Sequence, residues 1–155
     1  KDAIKRYKFN NKPSYYRTFG ALLADKIKKV ALIDHQHVIV SVPLNKERYA
    51  QRGYNQSYLI SQYISKLLKI SEKSYVLRKV RNTGVQSLMK RELRVKNVEG
   101  AYKVCYPDSI KGRKVFLVDD ILTTGSTLSE CSRVLKESGA VEVTAVAIAS
   151  GKKFE

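Results

Sequence analysis

The run VFLVDDILTTGSTL at residues 115–128 constrains the fold more than any other stretch of the chain. Residues 115–118 are continuously apolar, the pattern of a parallel strand buried on both faces. Two adjacent carboxylates, Asp119 and Asp120, end that run. A tight loop rich in hydroxyls follows, Thr123, Thr124, Gly125, Ser126 and Thr127, and opens a helix that reads to about Ser138 with Gly139 as its stop. A strand of this kind needs parallel neighbours. Residues 37–44 (HVIVSVPL), which Pro43 forces to end, and residues 141–149 (VEVTAVAIA) supply them, with a shorter strand at 101–106.

Helical periodicity marks two further elements. Residues 14–33 carry Tyr15, Phe19, Leu22, Leu23, Ile27 and Val30 at the spacing of one helix face, and Leu59, Ile60, Tyr63, Ile64, Leu67 and Leu68 mark another. Residues 45–55 between strand and helix read as a polar, basic loop. Strands alternating with helices predict an α/β fold, a mainly parallel sheet flanked by helices with right-handed crossovers. With 155 residues and no linker-like or repetitive stretch, a single domain over residues 1–155 is expected.

Charge is the next constraint. The chain holds 30 Lys and Arg against 14 Asp and Glu, a net +16, and nearly all of the excess lies early. Residues 1–100 carry 22 basic and 7 acidic side chains, whereas residues 101–155 carry 8 and 7. Such a field attracts polyanions: nucleic acid, a phosphorylated small molecule or an anionic surface. Residues 78–97 fit neither helix nor strand period and are strongly basic, which suggests an interaction loop or flap, the most mobile part of the chain.

Several classes are excluded or disfavoured. No apolar stretch approaches the roughly 18 residues of a membrane span, so an integral membrane protein is not expected. The first residues lack the apolar core of a secretory signal, and a reducing cytoplasm is the expected compartment. Cys105 and Cys131 are too few for a thiolate zinc site and read as free thiols in apolar segments. His35 and His37 read as loop residues, without the partners a metal site needs.

The chemistry of the 115–128 segment follows from its residue types. A helix start beyond a parallel strand offers unpaired N–H groups and a positive dipole end to an anion. Gly125 allows close backbone approach and the hydroxyls add donors, so a phosphate fits the loop. Asp119 and Asp120 would repel it and must face sugar hydroxyls, a metal ion or both. A ribose 5-phosphate meets both demands. Two alternatives remain at this point: a metal-dependent phosphoacceptor site of the receiver-domain type, and a structural role in which Thr127-x-x-Glu130 is a capping box.

The segment resembles the 5-phosphoribosyl 1-pyrophosphate (PRPP) signature of the type I phosphoribosyltransferases. Val42-Pro43-Leu44, Arg48 and Arg52-Gly53-Tyr54-Asn55-Gln56 further resemble the V-P-L…R…R-G-[FY]-N-Q stretch of the ComF family, as do Arg81-x-Thr83-x-x-Gln86-x-Leu88 and Arg94-x-x-Asn97. The likeness implies a type I phosphoribosyltransferase-like fold, with Asp119 and Asp120 on the ribose hydroxyls and residues 123–127 on the 5-phosphate. It implies Mg²⁺ arriving with PRPP, held indirectly at Asp119 and Asp120 through the ribose diol, and pyrophosphate contacts from Lys46 and Arg48 in the loop after the first strand. It also implies a role in natural competence, handling single-stranded transforming DNA, with a DNA-uptake helicase as a partner. Arg52, Lys90, Arg91, Arg94 and Lys96 are the candidate DNA contacts, and Tyr49, Tyr54 and Tyr58 candidate base-stacking platforms. Transfer of ribose 5-phosphate to a nitrogen acceptor is the alternative activity; no general base is legible. Ser41 and Val85 stand where the family often has proline. The four-cysteine zinc module with which such proteins usually begin is absent, as in a truncated or zinc-free member, so no zinc is expected.

Overall fold

The computed structural model describes residues 15–83, 97–122 and 124–150. Helix α1 (Tyr15–Val30) leads into strand β1 (His37–Ser41), a short helix α2 (Lys46–Arg52), helix α3 (Gln56–Leu68) and the two-residue strand β2 (Ser71–Glu72). A single 3-10 turn (Ser74–Val76) enters β3 (Leu77–Lys79), and β4 (Tyr102–Val104) returns beside it. After β5 (Lys114–Leu122) come α4 (Ser126–Glu137) and β6 (Glu142–Ser150). The main sheet runs β2-β1-β5-β6 with every pair parallel, while β3 and β4 form a separate antiparallel pair. The predicted parallel α/β architecture is thus observed.

Strand alternation builds a core on each face of the sheet. Ile39, Phe116 and Val118 pack against Phe19, Ala24 and Ile27 of α1 and Ile60 and Ile64 of α3. Val38, Val40, Val115 and Leu117 point the other way, to Leu128, Cys131 and Leu135 of α4 and to Leu77, Tyr102 and Val104 of the antiparallel pair. Adjacent residues of one strand serve opposite cores, which is why residues 115–118 are continuously apolar. Each fully buried aliphatic side chain contributes about 1.5–3 kcal/mol.

The two helices of the first core meet at a glycine. A Cβ on Gly20 would lie 2.8 Å from Tyr63 Cδ1, and the Tyr63 ring is held edge-on to Tyr16. Gly20→Ala is therefore expected to destabilise by about 1–3 kcal/mol, the clash outweighing the better helix propensity of alanine. Chemical denaturation of the variant checks this; an increase in stability would mean that α1 and α3 can move apart.

Several expected boundaries shift. Residues 45–55 are not a loop: Asn45 Oδ1 accepts the Arg48 N–H at 2.8 Å and caps α2, and Gly53 at φ 74° ends it. A helix of seven residues with no buried side chain leaves little periodicity to read. Strand β5 continues past its apolar run to Leu122, so the two aspartates lie within the strand, paired to β6 from Lys114↔Glu142 to Leu122↔Ser150. The basic stretch begins in order, since Arg78 and Lys79 belong to β3; its remainder from 84 to 96 lies outside the described residues. Leu22 and Val30 of α1 and Leu67 of α3 are exposed rather than in the apolar face. His37 is no loop residue. It starts β1, buried, its ring stacked on Phe116 at 5.1 Å and Nδ1 2.8 Å from Asp34 Oδ1.

Both cysteines are free, Cys131 buried on the inner face of α4 and Cys105 partly so. Among the described residues no helix is long and apolar enough to cross a membrane.

Candidate phosphoribosyl site

The sheet delivers its candidate residues to the carboxyl ends of β1 and β5, where open parallel sheets bind ligands. Asp119 and Asp120 are half-buried there. Asp119 Oδ1 accepts from the Asp120 N–H at 2.8 Å and from Ser57 Oγ at 3.2 Å, so its orientation is set before any ligand arrives. Ser57 stands at the start of α3, where Asn55 caps the helix by accepting the Ser57 N–H at 3.1 Å. The Asn55 side-chain amide also donates to the Val42 carbonyl at 3.0 Å, tying the start of α3 to the chain leaving β1.

The loop beyond β5 is built on its glycine. Gly125 has φ 83°, and its carbonyl accepts the Ser129 N–H at 2.8 Å, the first bond of α4. Thr124 Oγ1 and Ser126 Oγ are 2.9 Å apart. No side chain caps α4 at Gly125. The capping-box reading of Thr127 and Glu130 is therefore corrected, because the helix starts at Ser126, one residue before Thr127. Thr127 lies beside Tyr102 of β4 instead, and Glu130 accepts the Gly100 N–H at 2.8 Å while pairing with Arg133 at 2.7 Å. The Arg133 hydrogen bonds and the Gly100 N–H hold the Glu130 carboxyl below its ordinary pKa. Thr123 lies outside the described residues.

Cationic side chains approach from the other elements. Arg48 is half-buried in the first turn of α2 and Lys46 beside it is exposed; they sit on a helix, not on the loop expected. Lys79 of β3 is half-buried, donates to Thr83 Oγ1 at 2.6 Å and lies 5.6 Å from the Tyr102 ring centroid. Burial, then the nearby charges of Arg48 and Arg81, hold the Lys79 pKa below the usual lysine value. Tyr102 shifts the other way: burial, with Cys131 and Asp119 near it, pushes its phenol up. Lys79 and Arg48 thus share one neighbourhood with Asp119, Tyr102 and Thr127.

Of the DNA candidates, Arg52 is half-buried at the end of α2, and Lys90, Arg91, Arg94 and Lys96 lie outside the described residues. Tyr49 and Tyr58 are exposed and Tyr54 is partly so.

Sequence reasoning missed Ser57, Tyr102 and Lys79 as site residues. Ser57 directly follows the Arg52–Gln56 motif and was within reach, whereas Lys79 and Tyr102 arrive only through the β3–β4 pairing. Their residue types carry no signal alone.

No group of three or more His, Cys, Asp or Glu side chains that could hold a metal ion exists among the described residues. With Asp119 Oδ1 already engaged, the donor set fits a magnesium ion held mainly by the oxygens of its own ligand rather than one caged by protein.

The inner strand of the parallel sheet presents paired carboxylates ahead of a hydroxyl loop and helix, and the chain belongs to the phosphoribosyl transferase domain family, which matches residues 56–153. Its curated relatives include Competence protein F of Haemophilus influenzae, 34% identical over 90% of this chain and 63% of that protein, and DNA utilization protein YhgH of Escherichia coli, 38% identical over 82% and 50%. Competence protein ComFC of Streptococcus pneumoniae is 31% identical over 92% of this chain and 60% of its own. The chain thus spans between half and two-thirds of the length of these relatives, and the resemblance to the ComF family is borne out. The fold is shared with the glutamine PRPP amidotransferase of B. subtilis, at a TM-score of 0.58 and 20% identity over 88% of this chain and 26% of that one. It is shared also with the purine phosphoribosyltransferase of Pyrococcus horikoshii, at 0.50 and 18% over 87% and 72%.

Proposed function

We propose that this protein binds PRPP, or a closely related ribose 5-phosphate, and serves in the handling of single-stranded DNA during natural competence. One observation carries the first half: Asp119, pre-oriented by Ser57 and the Asp120 N–H, stands beside a glycine-built helix start with no side-chain cap. The backbone N–H groups of the α4 start and the Thr124 and Ser126 hydroxyls would hold the 5-phosphate. Asp119 and Asp120 would accept from the ribose diol, and Arg48 with Lys79 would face the pyrophosphate, Lys46 lying at the same end of α2. Magnesium, bound with PRPP, supplies charge neutralisation of the pyrophosphate. The DNA role rests on the names of the relatives and on the net charge of +16. Transfer of the phosphoribosyl group to a nitrogen acceptor is the activity that this site would support with an acceptor in place.

Titration calorimetry with Mg²⁺ tests the ligand. PRPP is expected to bind more tightly than ribose 5-phosphate, because only PRPP reaches the cations. Lys79→Gln is expected to weaken PRPP by about 10–100-fold, the worth of one charged hydrogen bond, while changing ribose 5-phosphate less than threefold. Equal losses for both ligands would remove Lys79 from the pyrophosphate, and no binding of either by the folded protein would overturn the reading.

A further inference from the structure

A second concave site lies on the opposite side of β1 from Asp119, at the outer edge of the main sheet. It is a groove of about 530 Å³ between the chain leaving β1, helices α2 and α3, and the β2 edge. Pro43 and Leu44 form part of its wall, and Tyr49, Tyr58 and Tyr75 line it with aromatic rings. All three tyrosines are exposed, at 54%, 37% and 51%, but Tyr75 already packs against Tyr106, ring centroids 5.7 Å apart, with the Lys73 ammonium 5.9 Å from its ring, so Tyr49 is the ring most open to a ligand.

One carboxylate serves this groove. Glu72 of β2 is half-buried, and its three hydrogen bonds, from Ser61 Oγ, the Ser74 N–H and Ser74 Oγ, all end on Oε1. None of the described residues donates to Oε2. Burial raises the Glu72 pKa, and those hydrogen bonds only partly offset it. Lys46 lines the same groove and brings a positive charge. Strand β2 is only two residues long, too short for an added peptide strand to gain a ladder of backbone hydrogen bonds.

We propose that this groove is a nucleobase pocket, in which Tyr49 stacks the ring of a base from single-stranded nucleic acid, Glu72 Oε2 accepts one of its N–H groups, and Lys46 meets the adjoining phosphate. The ring faces tolerate any base, and the lone acceptor favours one that carries an exocyclic amine. A free nucleoside has the same chemistry, and the test separates the two sources. The site rests on the nucleic-acid reading above only for the source of the base.

The experiment compares fluorescence-labelled oligo-dC of about twelve nucleotides with an abasic strand of the same length, at about 200 mM salt to suppress the backbone contribution. Binding of the abasic strand reports the electrostatic contact by itself, and the extra affinity of oligo-dC reports the pocket. Oligo-dC is expected to bind about tenfold more tightly. Glu72→Gln keeps an oxygen for the Ser61 and Ser74 donors but turns the free acceptor into a donor, and it should reduce the difference to less than about threefold. The exposed Tyr49→Ala should also reduce it, and thermal melting confirms that both variants fold. Equal binding of the two strands, or an advantage for oligo-dC that survives both substitutions, would overturn the pocket while leaving the electrostatic contact intact. Saturable binding of cytidine that Glu72→Gln abolishes, without an oligo-dC advantage, would assign the pocket to a free nucleoside.

Discussion

The Asp119→Asn/Asp120→Asn variant is expected to lose at least about a hundredfold in PRPP affinity while remaining folded. Each carboxylate accepting a ribose hydroxyl makes a charge-assisted hydrogen bond worth about 1.5–3 kcal/mol, and two such losses exceed a hundredfold. The strand itself keeps its main supports. An Asn at 119 keeps an oxygen for the Ser57 hydroxyl and the residue-120 N–H, and the β5–β6 ladder is made of backbone groups. Calorimetry with PRPP and Mg²⁺, with a melting curve for each protein, checks both halves. Retained affinity would mean that the ribose hydroxyls are not held by this pair, and a large drop in melting temperature would mean that the carboxylates are structural.

Gly125→Ala is expected to weaken PRPP and ribose 5-phosphate together, by about 10–100-fold. Space is not the obstacle, since among the described residues an added Cβ meets only Leu122 Cδ1, at 3.4 Å. The backbone is. At φ 83° an L side chain costs about 1–2 kcal/mol, and the loop can escape only by changing the dihedrals that orient the first N–H groups of α4, where the 5-phosphate is proposed to bind. This pattern differs from that of Lys79→Gln, which should spare ribose 5-phosphate. A Gly125→Ala protein with undiminished ribose 5-phosphate binding would place the phosphate elsewhere.

Legibility varied with how local the controlling physics is. The apolar run at 115–118 announced a strand buried on both faces because each of its residues serves one of two cores. Helix α2 was not legible: with no residue buried and only an Asn cap and a Gly stop, it carries no hydrophobic period. His37 read as a loop residue because a stacked, hydrogen-bonded histidine looks the same in sequence as a solvated one. Thr127-x-x-Glu130 fitted a capping box, yet the glycine at 125 starts the helix earlier, which frees Glu130 for the Gly100 N–H.

The sequence by itself determined the parallel α/β class, the places of β1, β5 and β6 along the chain, and the association of two carboxylates with a phosphate-sized loop. Those are properties of contiguous residues, set by strand alternation, helix starts and glycine dihedrals over a few positions. Only the tertiary structure decided that Ser57 orients Asp119, that Lys79 and Tyr102 reach across from the β3–β4 pair, and that Glu72 joins a tyrosine-lined groove. These relations join residues far apart in the chain. Their strength depends on distance and on removal from water, and neither exists until the sheet, the helices and the antiparallel pair are packed together.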